Sequence, residues 1–228
     1  MSIQSAPSNG AMNAIIVIRH AQPVDCNDTA SSHWTDTELT EMGRRQAQCL
    51  ADRLRREIGS IPCVLHSSDL RRAFQTAEPV AKALGVPIIP QPGLREFNNG
   101  LAAGETEEAL GRFVPVLTQA HRDLLANPAG ETWTQFHQRI AACMDRITAG
   151  EGRLTLVVAH YGAIINILHW WLRLGLTETG DTPASFDASL ASIAVLRRSR
   201  QGKPAIERLN DTSHLLADGL TGPMKLTN

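Results

Sequence analysis

The sequence predicts an α/β fold, a three-layer α/β/α sandwich around a mostly parallel sheet with an antiparallel edge strand. Ile15-Ile16-Val17-Ile18 and Leu154-Thr155-Leu156-Val157-Val158-Ala159 are almost wholly apolar, as in strands covered on both faces. Segments with helical spacing alternate with such short runs, the pattern of a layered α/β domain. Two late β-rich runs, Ala188–Arg197 and Ala205–Leu209, flank a Gln201-Gly202 turn and read as a hairpin at one sheet edge.

Taken in order, residues 1–13 are small and polar and read as a flexible leader. After the first strand, Gln22 to Asp36 is turn-rich and reads as a loop leaving the carboxyl end of the sheet. Thr40 can cap a helix whose Ala47, Leu50, Ala51, Leu54 and Ile58 share one face, with the arginines at 44, 45, 53, 55 and 56 on its solvated side. Pro62-Cys63-Val64-Leu65-His66 reads as the second strand, running into Ser67-Ser68-Asp69. The next helix carries Leu70, Ala73, Phe74, Ala77, Ala81 and Leu84 along one stripe; Pro79 should kink or split it, and Gly85 should end it. Val86-Pro87-Ile88-Ile89 reads as the third strand and Gln91 to Glu105 as irregular chain. Helical patterns return over Thr106–Ala126 and Thr132–Ile147, parted by the turn Asn127-Pro128-Ala129-Gly130. The fourth strand ends at His160-Tyr161-Gly162, before a helix through Ile164, Ile165, Ile167, Leu168 and Trp171. The whole reads as one domain over 14–228, with an insertion at about 97–130 over the active edge.

The 228 residues carry a formal net charge of -1, and the pI is near 6.7. No general attraction to nucleic acid or anionic membrane follows, so any anion site must be a local cluster of cations. No apolar run approaches the ~20 residues of a membrane helix. Cys26, Cys49, Cys63 and Cys143 are scattered without a C-x-x-C pair, which predicts free thiols in a reducing, cytoplasmic setting.

Three strand ends carry suitable chemistry: Arg19-His20 after the first, Arg71-Arg72 beyond the second and His160 after the fourth. Open α/β sheets bind ligands beyond the carboxyl ends of their strands. Guanidinium groups, imidazoles and backbone N–H groups at the following helix starts suit a phosphoryl dianion. A lone strand-end histidine is more often structural; the case rests on their coming together.

These residues resemble the histidine phosphatase superfamily, which includes phosphoglycerate mutases and related phosphatases. Arg19-His20-Ala21 resembles its Arg-His-Gly signature. Leu39-Thr40-Glu41-Met42-Gly43-Arg44-Arg45-Gln46-Ala47 is similar to its Leu-Thr-x-x-Gly-x-x-Gln-Ala stretch, and Ser68-Asp69-Leu70-Arg71-Arg72-Ala73-Phe74-Gln75-Thr76-Ala77 to its Ser-x-Leu-x-Arg-Ala-x-Gln-Thr-Ala helix start. Leu94-Arg95-Glu96, Gly130-Glu131-Thr132 and His160-Tyr161-Gly162 match later motifs in order, so the likeness runs from about residue 14 to 215.

The resemblance implies a phosphoglycerate mutase-like fold and a metal-independent phosphatase working through a phosphohistidine. His20 would be the nucleophile, Arg19, Arg72 and His160 would hold the phosphoryl oxygens, and Glu96 would be the proton donor and then the base. His20 can attack only with one ring nitrogen unprotonated; nearby arginines disfavour its charged form, and a carbonyl taking its other N–H would set the tautomer. Gln22, Asn27 and Tyr161 are candidate substrate contacts. No cofactor and no metal are implied. The expected partner is a small phosphorylated substrate, with a homodimer as the candidate assembly and no nucleic-acid or membrane partner.

The chain departs from the pattern in places. Ala21 and Tyr161 stand where glycines are usual, Gln22-Pro23 where many members have Glu-Thr, and Cys26 where mutases tend to have a phosphate-binding Asn. These departures favour a phosphatase over a mutase. Mutase-type phosphoryl transfer, a non-catalytic phospho-ligand module and a metallohydrolase using His20, His160 and Glu96 are the alternatives; Arg19 and Arg72 would repel a dication in the last. His33, His66, His121, His137, His169 and His214 lack ligand-like spacing, with His66 the best of them. Trp34 could line the pocket, while Trp133, Trp170 and Trp171 read as packing. Glu131 reads as a supporting partner, Arg71 as auxiliary, and Arg95 and Glu105 as surface charges.

Overall fold

Ile15–Arg19 forms β1, and its side chains alternate between two cores. The computed structural model describes residues 14–24, 34, 36–98, 100, 130–149, 153–176, 184–216 and 219–220. Ile16 and Ile18 pack with Leu65, Leu156 and Val158 beneath Leu50, Leu54, Ala73, Ala77 and Val80 of two helices. Ile15 and Val17 pack on the other face with Val157 and Ala159, under Phe136, Ile140, Ile164, Ile167 and Leu168 of two further helices. That is the period-two consequence of a strand buried on both sides. It makes three layers, with α1 (Glu41–Ile58) and α2 (Arg71–Leu84) on one face and α3 (Trp133–Ile147) and α4 (Tyr161–Leu172) on the other.

The remaining strands are β2 (Cys63–Ser67), β3 (Ile88–Pro90), β4 (Leu154–Ala159), β5 (Ile193–Arg198) and β6 (Pro204–Asp211). Among the described residues the sheet runs β3-β2-β4-β1-β5-β6. β3, β2, β4 and β1 are parallel, whereas β5 and β6 form the expected antiparallel hairpin on the far side of β1. Central β4 is buried along its whole length, between β2 and β1. Each fully buried aliphatic side chain there contributes about 1.5–3 kcal/mol.

Local signals set most helix ends. Thr40 caps α1 by accepting from the Gly43 N–H at 2.9 Å. Thr132 and Gln135 close a capping box at the start of α3. Gly85, in the left-handed region at φ 67°, ends α2 as expected.

Three expectations are corrected here. Of the two effects expected of Pro79, a kink or a split, the split does not occur: α2 runs unbroken through it, and Ala77 and Val80, both fully buried, hold it on the sheet at that point. Arg53 is not on the solvated side of α1. It is 5% exposed, bonds Asp211 at 2.5 Å and Glu57 at 2.9 Å, and also meets Ser213 and His214. Its partners Asp211, Ser213 and His214 lie some 160 residues away in sequence, beyond the reach of helical periodicity. Residues 188–192, expected in the late strand, instead loop past the end of β1, where their backbone groups bond Arg19 and His20.

Of the 97–130 segment, only residues 97, 98, 100 and 130 are described; the helix expected over Thr106–Ala126 lies outside the described residues, as does the 1–13 leader. Cys63 and Cys143 are free thiols, and Cys26 lies outside the described residues.

Candidate active site

The strand order alone brings the two imidazoles together. β1 and β4 are in-register neighbours, Arg19 opposite Ala159, so the next residues on each, His20 and His160, lie side by side. Their ring centroids are 5.1 Å apart. The ladder continues one residue past the strands: the His20 N–H donates to the Ala159 carbonyl and the Ser68 N–H to the Val158 carbonyl, both at 2.9 Å. β1, β4 and β2 therefore deliver His20, His160 and Ser68 to one edge.

His20 is 5% exposed. Its Nδ1 lies 2.8 Å from the carbonyl of Ala21, an acceptor only, so the proton sits on Nδ1 and the lone pair on Nε2. The Ala21 peptide is fixed from its other side as well. Its N–H donates to Thr76 Oγ1 at 2.9 Å, and that hydroxyl donates to the Arg72 carbonyl at 2.7 Å within α2. Burial, then the nearby Arg72 and Arg19 guanidiniums, hold His20 well below the usual histidine pKa. His160 is fully buried and shifted the same way, by burial first and then by Arg72, His20 and Arg19. Its Nε2 lies 2.8 Å from Ser68 Oγ, and that oxygen accepts from the Leu70 N–H at 3.3 Å. Its Nδ1 has no hydrogen-bond partner among the described residues.

Arg72, in the first turn of α2, is 2% exposed, and burial lowers its pKa against the attraction of Glu96 and Asp36. Arg19 ends β1, donating Nη1–H to the Ala188 carbonyl at 2.6 Å, with its guanidinium 5.1 Å from the centre of the Tyr161 ring. Glu96 follows a short 3-10 turn, Pro92–Leu94, and is 9% exposed. Its Oε1 accepts from the Phe97 N–H and its Oε2 from the Gly162 N–H, each at 2.9 Å. The carboxylate thus sits at the positive end of α4, the helix that His160 begins. Gly162 leaves room for the carboxylate there, because a Cβ would stand 2.5 Å from Glu96 Oε1 and one of the two would have to move.

Arg19, His20, Arg72, Glu96 and His160 therefore gather at one edge. The structure differs from expectation over the helix starts. The first N–H of α2, on Arg71, goes to Asp36 Oδ1 at 2.6 Å, and the Gly162 N–H of α4 goes to Glu96, so both donors are occupied by carboxylates. Gln22 is bound into the start of α1: its Oε1 accepts from Thr40 Oγ1 at 2.8 Å and its N–H donates to Gln46 Oε1 at 3.0 Å. Tyr161 lies against Arg19 at the edge of the site. Asn27 lies outside the described residues.

The sequence reading missed three supporting residues. Ser68 and Thr76 lie inside the stretch that carried the resemblance, which was the available signal. Arg139 of α3 gave none: it donates to the carbonyls of Gly93, Arg95 and Glu96 at 3.0–3.1 Å and pairs with Glu131, so it secures the backbone that carries Glu96. Glu131 also accepts from the Asn98 N–H at 2.9 Å, a supporting role as expected. Trp34 donates its indole N–H to the Glu96 carbonyl at 2.6 Å. Arg95, expected as a surface charge, is half-buried, paired bidentately with Asp69 and stacked on Trp34. His66 meets Gln91, His137 meets Asn166 and His169 meets the Ile165 carbonyl, all away from the cluster; His33 and His121 lie outside the described residues.

Known proteins resemble this chain to differing extents. The chain is 28% identical over 214 residues to the bifunctional protein Rv2228c of Mycobacterium tuberculosis, covering 91% of this chain but only 56% of that protein, little more than half its length. It is 28% identical over 217 residues to a probable phosphoglycerate mutase GpmB of Yersinia pestis, covering 90% of this chain and 95% of that one. A solved mycobacterial glucosyl-3-phosphoglycerate phosphatase complexed with VO3 aligns at TM-score 0.70 and 25% identity, over 86% of this chain and 98% of the other. Bacillus stearothermophilus YhfR, at 23% identity, shares the fold with TM-score 0.73 over 89% of this chain and 98% of its own. No helix among the described residues is long and apolar enough to cross a membrane. The family model of the histidine phosphatase superfamily (branch 1) matches residues 15–212, and the chain belongs to that superfamily.

Proposed function

We propose that this chain is a metal-independent phosphatase that hydrolyses phosphomonoesters through a phosphohistidine on His20. The observation that carries this reading is the His20 ring itself. Its Nδ1–H is committed to the Ala21 carbonyl, its Nε2 lone pair is free of that bond, and burial with two flanking guanidiniums keeps it unprotonated.

In the first step Nε2 attacks phosphorus, the P–O ester bond breaks, and the Glu96 carboxyl passes its proton to the departing oxygen. In the second, Glu96 takes a proton from water, the water oxygen attacks phosphorus, and the P–N bond breaks to release inorganic phosphate. Arg19 and Arg72 hold the phosphoryl oxygens and stabilise the charge they gain. If Ser68 donates to His160 Nε2, the proton of His160 sits on Nδ1, its otherwise unpartnered nitrogen, facing the anion as a neutral donor.

Mutase-type transfer is the second reading, favoured by the likeness to a probable phosphoglycerate mutase. Against it, the neighbouring arginines among the described residues are already neutralised: Arg71 by Glu38, Arg95 by Asp69 and Arg139 by Glu131. A retained second phosphate needs cations not spent in this way.

The test is acid-labile phosphoryl labelling with hydrolysis of an aryl phosphate in excess chelator. The wild type should label and turn over with chelator present, and His20→Ala should do neither while keeping its thermal transition. A labelled or active His20→Ala variant would remove the assigned nucleophile. Activity lost to chelator would favour the metallohydrolase, and turnover that depends on a bisphosphorylated activator would favour the mutase.

A further inference from the structure

We infer that Tyr161 is a positioning residue, a platform that holds the Arg19 guanidinium in the orientation from which it meets the phosphoryl group. The inference rests on the phosphatase reading of the same site. Arginine has a long flexible stem, and at the end of β1 nothing in strand geometry orients its plane. Two contacts among the described residues bear on that orientation. Nη1 is tethered to the Ala188 carbonyl at 2.6 Å, and the guanidinium carbon lies 5.1 Å from the Tyr161 ring centre. The ring itself is steady, because Tyr161 opens α4 and packs on the core beneath α3 and α4.

Tyr161 also directly follows His160, so one strand-to-helix turn carries both the second imidazole and the support for Arg19. The aromatic face, rather than the hydroxyl, bears the contact. A cation held this way loses less freedom when the anion arrives.

Vanadate affinity should separate the ring from its bulk. Tyr161→Phe keeps the face and should bind within about twofold of wild type. Tyr161→Leu keeps apolar volume against the core and should bind roughly three- to thirty-fold more weakly. Wild-type affinity in the leucine variant overturns the inference, as does an equal loss in phenylalanine, which would assign the effect to the hydroxyl.

A second measurement needs no activity. Tyr161 is the sole tyrosine, so 3-fluorotyrosine labelling yields one 19F resonance. Arg19→Met should shift that resonance in ligand-free protein, and an unmoved signal overturns the stacking. If the wild type binds no vanadate and hydrolyses no phosphomonoester while its resonance still senses Arg19, the phosphatase reading fails and Tyr161's positioning role falls with it. Affinity retained in Tyr161→Leu removes that role alone.

Discussion

A histidine that attacks phosphorus, the role proposed for His20, needs a lone pair near neutral pH, and two effects favour one there. Burial acts first and the positive fields of Arg72 and Arg19 act next, while the Ala21 carbonyl, whose bond opposes them, chooses which nitrogen bears the proton. In the proposed reaction the arginines that would receive the phosphate also hold down the pKa of the nucleophile, which would couple binding to reactivity. The sign follows directly. Both guanidiniums push the His20 pKa down, so removing one should let it rise toward 6.5. Arg72→Met should move the His20 NMR titration upward in pH, with the acid limb of residual kcat/KM moving the same way. A titration that stays in place would mean burial alone sets that ring.

At the scale of elements, each helix start in the site is occupied by a carboxylate from elsewhere in the chain. Asp36 holds the beginning of α2, and Glu96 holds the beginning of α4 through the Gly162 N–H. The second contact depends on a missing side chain. Gly162→Ala would bring a Cβ to 2.5 Å from Glu96 Oε1 and force the carboxylate aside. The expected result is a fall of about 100-fold in kcat for alkyl phosphates, and much less for aryl esters whose oxygen leaves without a proton. The thermal transition should stay close to wild type. Equal losses on both ester classes would mean that Glu96 is not displaced or is not the proton donor.

Across the whole molecule, buried rings tie stability to pH. Burial first lowers the pKa of His20, His66, His160, His169 and His214, the last to about 4 with Arg53 adding to the effect. In the unfolded chain these histidines take up protons near pH 6.5, so the unfolded state binds more protons than the folded state just below that value. Stability should therefore be full above about pH 6.5 and decline as pH falls toward 4. Calorimetry from pH 7.5 to 4.5 should show a steadily falling Tm. A flat Tm over that range would mean the buried rings titrate in the folded protein as they do in the unfolded chain.

Much of this was legible from residues alone. Runs such as Ile15–Ile18 report a strand buried on both faces because covered strands have no polar side to display, and Thr40, Gly85 and Thr132 mark helix ends through local hydrogen bonds and backbone freedom. The five residues of the proposed chemistry were likewise readable, since each lies beside a strand end or in a short motif. What only the tertiary structure decided depends on partners distant in sequence. Arg53 turns inward because Asp211 waits beside it, Arg139 grips three carbonyls of the segment ending at Glu96, Ser68 bonds the His160 ring directly, and Thr76 acts on the His20 ring through Ala21. The physical reason is range: periodicity and capping act within a few residues, whereas a buried charge or polar ring takes its partner from whatever the folded chain sets beside it.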